Sequence, residues 1–152
     1  MDERLITDEL EAIYEKRIQG YDNLIMLAEE QQSILLADRH KELNDNIAKF
    51  DPLLMDLQRL DKRETAFTER IEQVQTEGKL PLNFDLDTLR LRFKKELAKR
   101  VERLRGLVEA NTRLLNNLMS FANFTMDAIC RVATGQSDAI SRNNSILLDL
   151  KV

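Results

Sequence analysis

The feature that most constrains this chain is a stripe of apolar residues at three- and four-residue spacing along its last long segment. Its members are Leu86, Leu89, Phe93, Leu97, Val101, Leu104, Val108, Leu115, Leu118, Ala122, Ile129 and Val132. This spacing keeps one side of an α-helix apolar for about thirteen turns, which predicts one helix on the order of 70 Å long. Such a helix must lie against other helices, so the pattern favours a binding protein over a fold with a catalytic cleft.

Two further periodic stretches precede this segment and are expected to form the opposing arm. The first covers residues 6–35 and the second covers residues 43–74. A single uncapped helix over residues 3–77 would be unusually long, and Asp38 is a candidate cap between the stretches. We therefore expect a break near Asp38 and three helices in all.

The loop before the long helix is marked by Gly78 and Pro81, the two strongest turn formers of this region. Either Asp85 or Asp87 can then cap the long helix by accepting hydrogen bonds from its free N-terminal amides. The predicted fold class is all-α: an elongated antiparallel helical bundle or coiled-coil hairpin of about three long helices. A helical rod domain is expected over residues 1–135, followed by a flexible, partner-binding C-terminal tail over residues 136–152.

If the second and third helices are antiparallel across this loop, the numbers of facing residues should sum to about 161. This register pairs Phe67 with Phe93, Leu57 with Leu104, and Leu54 with Val108. Because these pairs are apolar on both sides, we expect a continuous apolar seam between the two helices.

Two residues interrupt the regular pattern. Pro52 lacks an amide hydrogen and would free the carbonyl of Ala48 inside the second helix, which puts the continuity of that helix in question. Asn111 breaks the seam of the third helix. It either fixes the register of the bundle, as a seam asparagine can, or points aside to water.

Composition excludes several classes of function. The chain has 152 residues, of which 33% are charged and 5% aromatic, and it has no apolar run near the ~20 residues that span a bilayer. Its first ten residues carry four acids where a signal peptide needs positive charge, so we expect a cytoplasmic protein without membrane insertion. With His40 and Cys130 as its only histidine and cysteine, it offers little material for a metal site or a catalytic pair.

A basic stretch over residues 90–105 holds eight Lys or Arg residues against two Glu. Alone, it could bind phosphates. In an up-down-up bundle, however, the first helix runs parallel to this stretch, and residues 1–30 carry nine acids against three bases. We therefore expect charge matching within the chain and no nucleic-acid partner.

The tail combines a polar stretch with an apolar one. Residues 136–145 are poor in apolar side chains, whereas five of the seven residues in 146–152 are apolar. An exposed apolar segment needs a cover. It can fold back on the helices or become ordered on a partner.

Taken in order, several segments of this chain resemble the FlgN-type flagellar export chaperones. They are the acidic helix over Glu11 to Glu30 with Tyr14, Tyr21, Leu24 and Leu27, the stretch Asp38 to Arg63, the asparagine-rich stretch Asn111 to Ser120, and the tail ending in Leu147-Leu148-Asp149-Leu150-Lys151. The resemblance covers nearly the full length. The Asp51-Pro52 pair departs from the family pattern, and the tail is short for the family.

The resemblance implies a cytoplasmic chaperone, not an enzyme, that binds flagellar hook-filament junction proteins (hook-associated proteins) before type III secretion. In the family, the client is bound largely through the C-terminal region. The residues of this chain onto which that role falls are Ile140, Ile146, Leu147, Leu148 and Leu150. The resemblance implies no catalytic residues, metal, cofactor or small-molecule substrate, and it leaves open whether the export machinery is a second partner.

A structural coiled-coil protein or oligomerisation scaffold is the alternative interpretation. It would use the same apolar stripes between chains and form a stable dimer or higher oligomer.

Overall fold

The computed structural model describes residues 2–81 and 85–134. Its three α-helices are α1 (Glu3–Leu36), α2 (His40–Thr76) and α3 (Leu86–Ala133), and the described residues contain no strand. The prediction of an all-α fold with three long helices is confirmed, as is the prediction that the third is one unbroken helix of 48 residues. The chain divides into two compact units, Met1–Val108 and Glu109–Val152.

The turn between α1 and α2 is made by a residue in the left-handed region. Asp38 has φ 59°, and the Arg39 amide donates to the Ile34 carbonyl at 3.0 Å, which closes the end of α1 as in a Schellman motif. The predicted break near Asp38 is confirmed. Asp38 nevertheless terminates α1 and is not the N-cap of α2, since that position belongs to Arg39.

The end of α2 and the start of α3 lie where the turn-forming and capping residues of the sequence predict them. Gly78 has φ 73°, and the Lys79 amide donates to the Val74 carbonyl at 3.0 Å, so α2 ends in the same way as α1. The carboxylate of Asp85 accepts from the amides of Asp87 at 3.0 Å and Thr88 at 3.2 Å. Of the two candidate caps, Asp85 is therefore the one that satisfies the free amides of α3.

The two irregular positions of the sequence are both accommodated within helices. Pro52 lies inside α2, which continues across it from His40 to Thr76. Asn111 is 3% exposed, so the alternative in which its side chain points to water is wrong.

The first unit has an apolar core to which all three helices contribute. Its members are Ile6, Leu10, Ile13, Tyr14, Phe67, Ile71, Leu80, Leu86, Phe93 and Leu97. The rings of Tyr14 and Phe93 stack with centroids 5.0 Å apart and an interplanar angle of 6°. Phe67 and Phe93 lie in the same cluster, as the predicted register requires.

Polar contacts within the first unit define the directions of the helices. Between α1 and α2, Glu9 pairs with Arg63 and Glu30 with Lys49, which makes these helices antiparallel. Between α1 and α3, the pairs listed by increasing residue number are Glu11–Arg92, Asp22–Arg100 and Glu29–Arg103, which makes these helices parallel. The predicted matching of the acidic first helix with the basic stretch of α3 is confirmed.

The predicted continuous seam between α2 and α3 is wrong over part of its length. Leu54 and Val108, which the register paired, are each 45% exposed. Leu57 instead packs towards α1, where a Cβ at Gly20 would lie only 2.8 Å from Leu57 Cδ2. The absence of a side chain at Gly20 lets α1 and α2 approach closely there, so α2 directs part of its apolar surface to α1.

Candidate partner-binding surface

The second unit contains an apolar surface along the C-terminal part of α3. Residues at three- and four-residue spacing fall on one side of the helix there and line a shallow hollow of about 500 Å³. We call this the C-terminal apolar face, and its members are Phe121, Phe124, Thr125, Ala128, Ile129, Val132 and Ala133. The lining combines large side chains with the smaller Thr125 and Ala128, and it is open to apolar groups of another segment.

Exposure distinguishes this face from a core. Phe121 is 53% exposed, Ile129 58% and Val132 63%, although each is of a residue type that is usually buried. The other side of the same helix is polar and carries the Arg131–Asp127 ion pair at 3.1 Å. A contiguous exposed apolar surface bordered by polar groups is typical of a protein-binding site.

Two methionines extend the apolar surface on one flank. Met119 is 58% exposed and Met126 is 62% exposed. Methionine side chains are unbranched and polarizable, so they adapt to differently shaped partners.

The five residues to which the family resemblance assigns partner binding lie outside the described residues. They are Ile140, Ile146, Leu147, Leu148 and Leu150.

The C-terminal apolar face is a correction to the sequence prediction, in which Leu115, Ile129 and Val132 belong to a buried seam. All three are exposed, Leu115 by 37%. The greater length of the third helix is a signal that could have indicated this exposed face. With 48 residues, α3 has 11 more than α2 and 14 more than α1, so part of its apolar side has no counterpart in either helix.

A second, more polar hollow of about 620 Å³ lies in the first unit, where Glu64 of α2 meets side chains of α1 and α3. The Tyr14 hydroxyl donates to Glu64 Oε1 at 2.5 Å, and Arg17 Nη1 donates to Glu64 Oε2 at 2.5 Å. Arg90 Nη2 lies 3.9 Å from Glu64 Oε1. Burial, followed by the hydrogen bond to Glu64, raises the pKa of Tyr14 to about 12. The negative charge of Glu64 is thus compensated by Arg17 of α1 and Arg90 of α3, and these contacts connect the three helices.

The described part of the chain holds neither a metal-binding cluster nor a membrane-spanning helix. No group of three or more His, Cys, Asp or Glu side chains is placed there to hold a metal ion. None of the three helices, over those residues, has a stretch long and apolar enough to cross a membrane.

An all-helical protein with an exposed apolar helix face is the class that these features define. The model of one family, described as FlgN protein, matches residues 1–138. No curated protein and no solved structure matched the chain. Because the family model covers most of its length, the chain belongs to the FlgN family, and this membership indicates a flagellar export chaperone.

Proposed function

We propose that this chain is a cytoplasmic export chaperone that binds flagellar hook-filament junction proteins before type III secretion. The proposed contacts are made mainly by the tail residues Ile140, Ile146, Leu147, Leu148 and Leu150. The C-terminal apolar face of α3 contributes the rest of the binding surface. The observation that carries the proposal is the exposure of Phe121, Ile129 and Val132 on one helix face.

Physical chemistry supports a protein client for this face. A junction protein that stays unassembled in the cytoplasm needs a cover for the amphipathic segments at its ends. An exposed apolar helix face is suited to an amphipathic helix of a partner, because each partner removes the apolar surface of the other from water. A tail that becomes ordered on the client adds contacts while keeping the complex reversible, since its ordering entropy offsets part of the contact energy.

The expected affinity is moderate. Complete burial of a large aliphatic or aromatic side chain contributes about 1.5–3 kcal/mol, so three residues on the face that are 53–63% exposed contribute roughly 3–5 kcal/mol before costs. Association and ordering of the tail consume several kcal/mol of this. Tail contacts would compensate for those costs, and a dissociation constant of about 1 μM requires about 8 kcal/mol in total.

Binding of a purified hook-filament junction protein to the full-length chain, measured by calorimetry, tests the proposal. Phe121→Asp puts a charge into the face, and Leu147→Asp with Leu148→Asp puts two charges into the tail. Each variant should weaken binding by at least about tenfold, because a charge would be desolvated in an apolar contact. The matched control is Asn123→Asp, which adds a charge at an exposed position on the polar side of α3 and should change binding less than about twofold.

Two results would contradict the proposal. Full-affinity binding by both charged variants would place the client elsewhere, and no binding by the unmodified chain would remove junction proteins as clients. Light scattering of the free chain at micromolar concentration distinguishes the scaffold alternative. A stable oligomer that dissociates in Phe121→Asp would assign the face to contacts between copies.

A further inference from the structure

The C-terminal apolar face lies near the end of α3, and the apolar tail segment 146–152 follows it closely in the sequence. We propose that, in the absence of a client, Ile146, Leu147, Leu148 and Leu150 occupy this face of their own chain. The proposal deepens the proposed function because the tail would then protect the surface that later receives the client. The contact itself involves this chain alone and can be tested without a client.

The face has the shape and chemistry for such an occupant. The hollow of about 500 Å³ is lined by the large apolar groups of Phe121, Phe124 and Val132 and by the smaller Ala128 and Thr125. The tail segment presents aliphatic side chains in close succession. Aliphatic groups seated between aromatic rings remove apolar surface from water on both sides of the contact.

The length of the connection allows the contact. Residues 135–145 separate Thr134, the last residue that the structure describes, from the apolar segment. Eleven residues span up to about 36–40 Å when extended. The face extends from Phe121 to Ala133, which is about 18 Å along a helix. The segment can therefore reach every part of the face.

Attachment to the same chain favours the tail over a second copy. A segment held by a short flexible connection has an effective concentration of about 1 mM near its site. At the micromolar concentrations of a dilute sample, a second copy presents the same apolar groups at a roughly thousandfold lower concentration. At this effective concentration, a contact with a dissociation constant of about 0.1 mM occupies the face in about nine of ten molecules.

The contact would affect client binding. A client that uses the face binds only molecules in which the tail has left it. The apparent affinity of the client is therefore its intrinsic affinity multiplied by the fraction of molecules whose face is open. The released tail residues can then become ordered on the client. The free chaperone would thereby expose less apolar surface than its helices alone.

Hydrogen exchange in the full-length chain, without any client, tests the contact. Leu147→Asp with Leu148→Asp should speed exchange of the amides over residues 117–133 by about tenfold, because a tail present at ~1 mM effective concentration no longer covers them. The matched control is Ser141→Asp with Ser145→Asp, which adds the same two charges to the polar part of the tail and should leave exchange unchanged. A reciprocal variant, Ile129→Asp, should speed exchange of residues 146–152.

Several outcomes would overturn the proposal. Equal exchange over residues 117–133 in the unmodified chain and the Leu147/Leu148 variant would mean that the tail does not cover the face. Faster exchange in the serine control would assign the effect to charge alone. Protection that declines on tenfold dilution would assign the cover to a second copy.

The client measurement separates this proposal from the proposed function. If the Leu147/Leu148 variant loses the junction protein but exchanges like the unmodified chain, the client role stands and the internal contact is wrong. If exchange changes as expected but no junction protein binds, the internal contact stands and the client role is wrong.

Discussion

The hydroxyl of Tyr14 donates a hydrogen bond of 2.5 Å to the carboxylate of Glu64, and this contact links α1 to α2 within the first unit. Tyr14 is 4% exposed and its ring stacks on Phe93 of α3. One side chain therefore takes part both in the hydrogen bond to Glu64 and in the apolar core. Arg17 occupies the second oxygen of the same carboxylate. The stability of the first unit should therefore depend on Tyr14 and Glu64 in measurable ways.

Tyr14 should make the stability of the protein dependent on pH in the alkaline range. Its pKa is raised from 10.0 to about 12 in the folded protein, so the folded state holds the proton more tightly than the unfolded state. The resulting stabilisation is fully present below about pH 10 and is lost as pH rises from 10 to 12. Phenolate absorbance should show an ionisation near pH 12 that disappears in Tyr14→Phe. Loss of an ionisation near pH 10 instead would contradict the buried, hydrogen-bonded phenol.

Removal of Glu64 should destabilise the first unit strongly. Glu64→Ala removes the acceptor of the Tyr14 hydroxyl and the nearer of the two carboxylates beside Arg17, and the side chains of Glu64 and Arg17 are only 12% and 16% exposed. We expect a loss of about 2–4 kcal/mol in the free energy of unfolding, measured by urea denaturation. Glu69→Ala, at an exposed position of the same helix, should change it by less than about 0.5 kcal/mol. Similar losses in both variants would show that the contacts of Glu64 with Tyr14 and Arg17 do not stabilise the first unit.

The two glycines inside helices should respond differently to alanine. Nothing lies within 4 Å of a Cβ built at Gly106, so Gly106→Ala should stabilise the protein by about 0.5–1 kcal/mol through its higher helix propensity. At Gly20 the same gain is opposed by the contact of 2.8 Å with Leu57 Cδ2. Overpacking of this kind costs about 1–3 kcal/mol, so Gly20→Ala should be neutral or destabilising in thermal denaturation. A stabilisation equal to that of Gly106→Ala would mean that α1 and α2 are not closely packed there.

Asp85 should link the start of α3 to acid stability. Hydrogen bonds from Thr88, first from its side chain and then from its amide, hold the pKa of Asp85 below its ordinary value. Because a carboxylate with a lowered pKa stabilises the fold only when ionised, its contribution is present above about pH 4 and is lost as pH falls below that. The melting temperature of Asp85→Ala should lie below that of the unmodified chain at pH 7, and the difference should narrow towards pH 3. A difference that stays constant with pH would argue against an ionised cap.

Local rules explain why much of the fold could be predicted from the sequence. The C-terminus of α2 follows from Gly78 and the N-terminus of α3 from Asp85, because a left-handed turn and an N-terminal cap each require particular residue types. The pairing of Glu11 with Arg92 follows from the opposite charges of two parallel segments.

The remaining features depend on packing that periodicity does not encode. A stripe that includes Ile129 shows that one helix face is apolar, but the same stripe suits a buried seam and an exposed binding surface equally. Glu64 is one of many acids on α2, and nothing in its neighbours along the chain distinguishes it from a solvated surface residue. Only the approach of Tyr14 and Arg17 gives it a structural role.

The directions of the helices also imply an order of folding. Contacts between the antiparallel α1 and α2 begin near their turn, where Asn46 and Leu27 are only 19 residues apart, and can extend from there pair by pair. Contacts between the parallel α1 and α3 all join residues that are far apart in the sequence. Arg100 lies 78 residues from Asp22, and the other ion pairs have a similar sequence separation. Closing the longer loop costs about 1.3 kcal/mol more in chain entropy. The hairpin of α1 and α2 should therefore form first and provide the surface on which α3 docks.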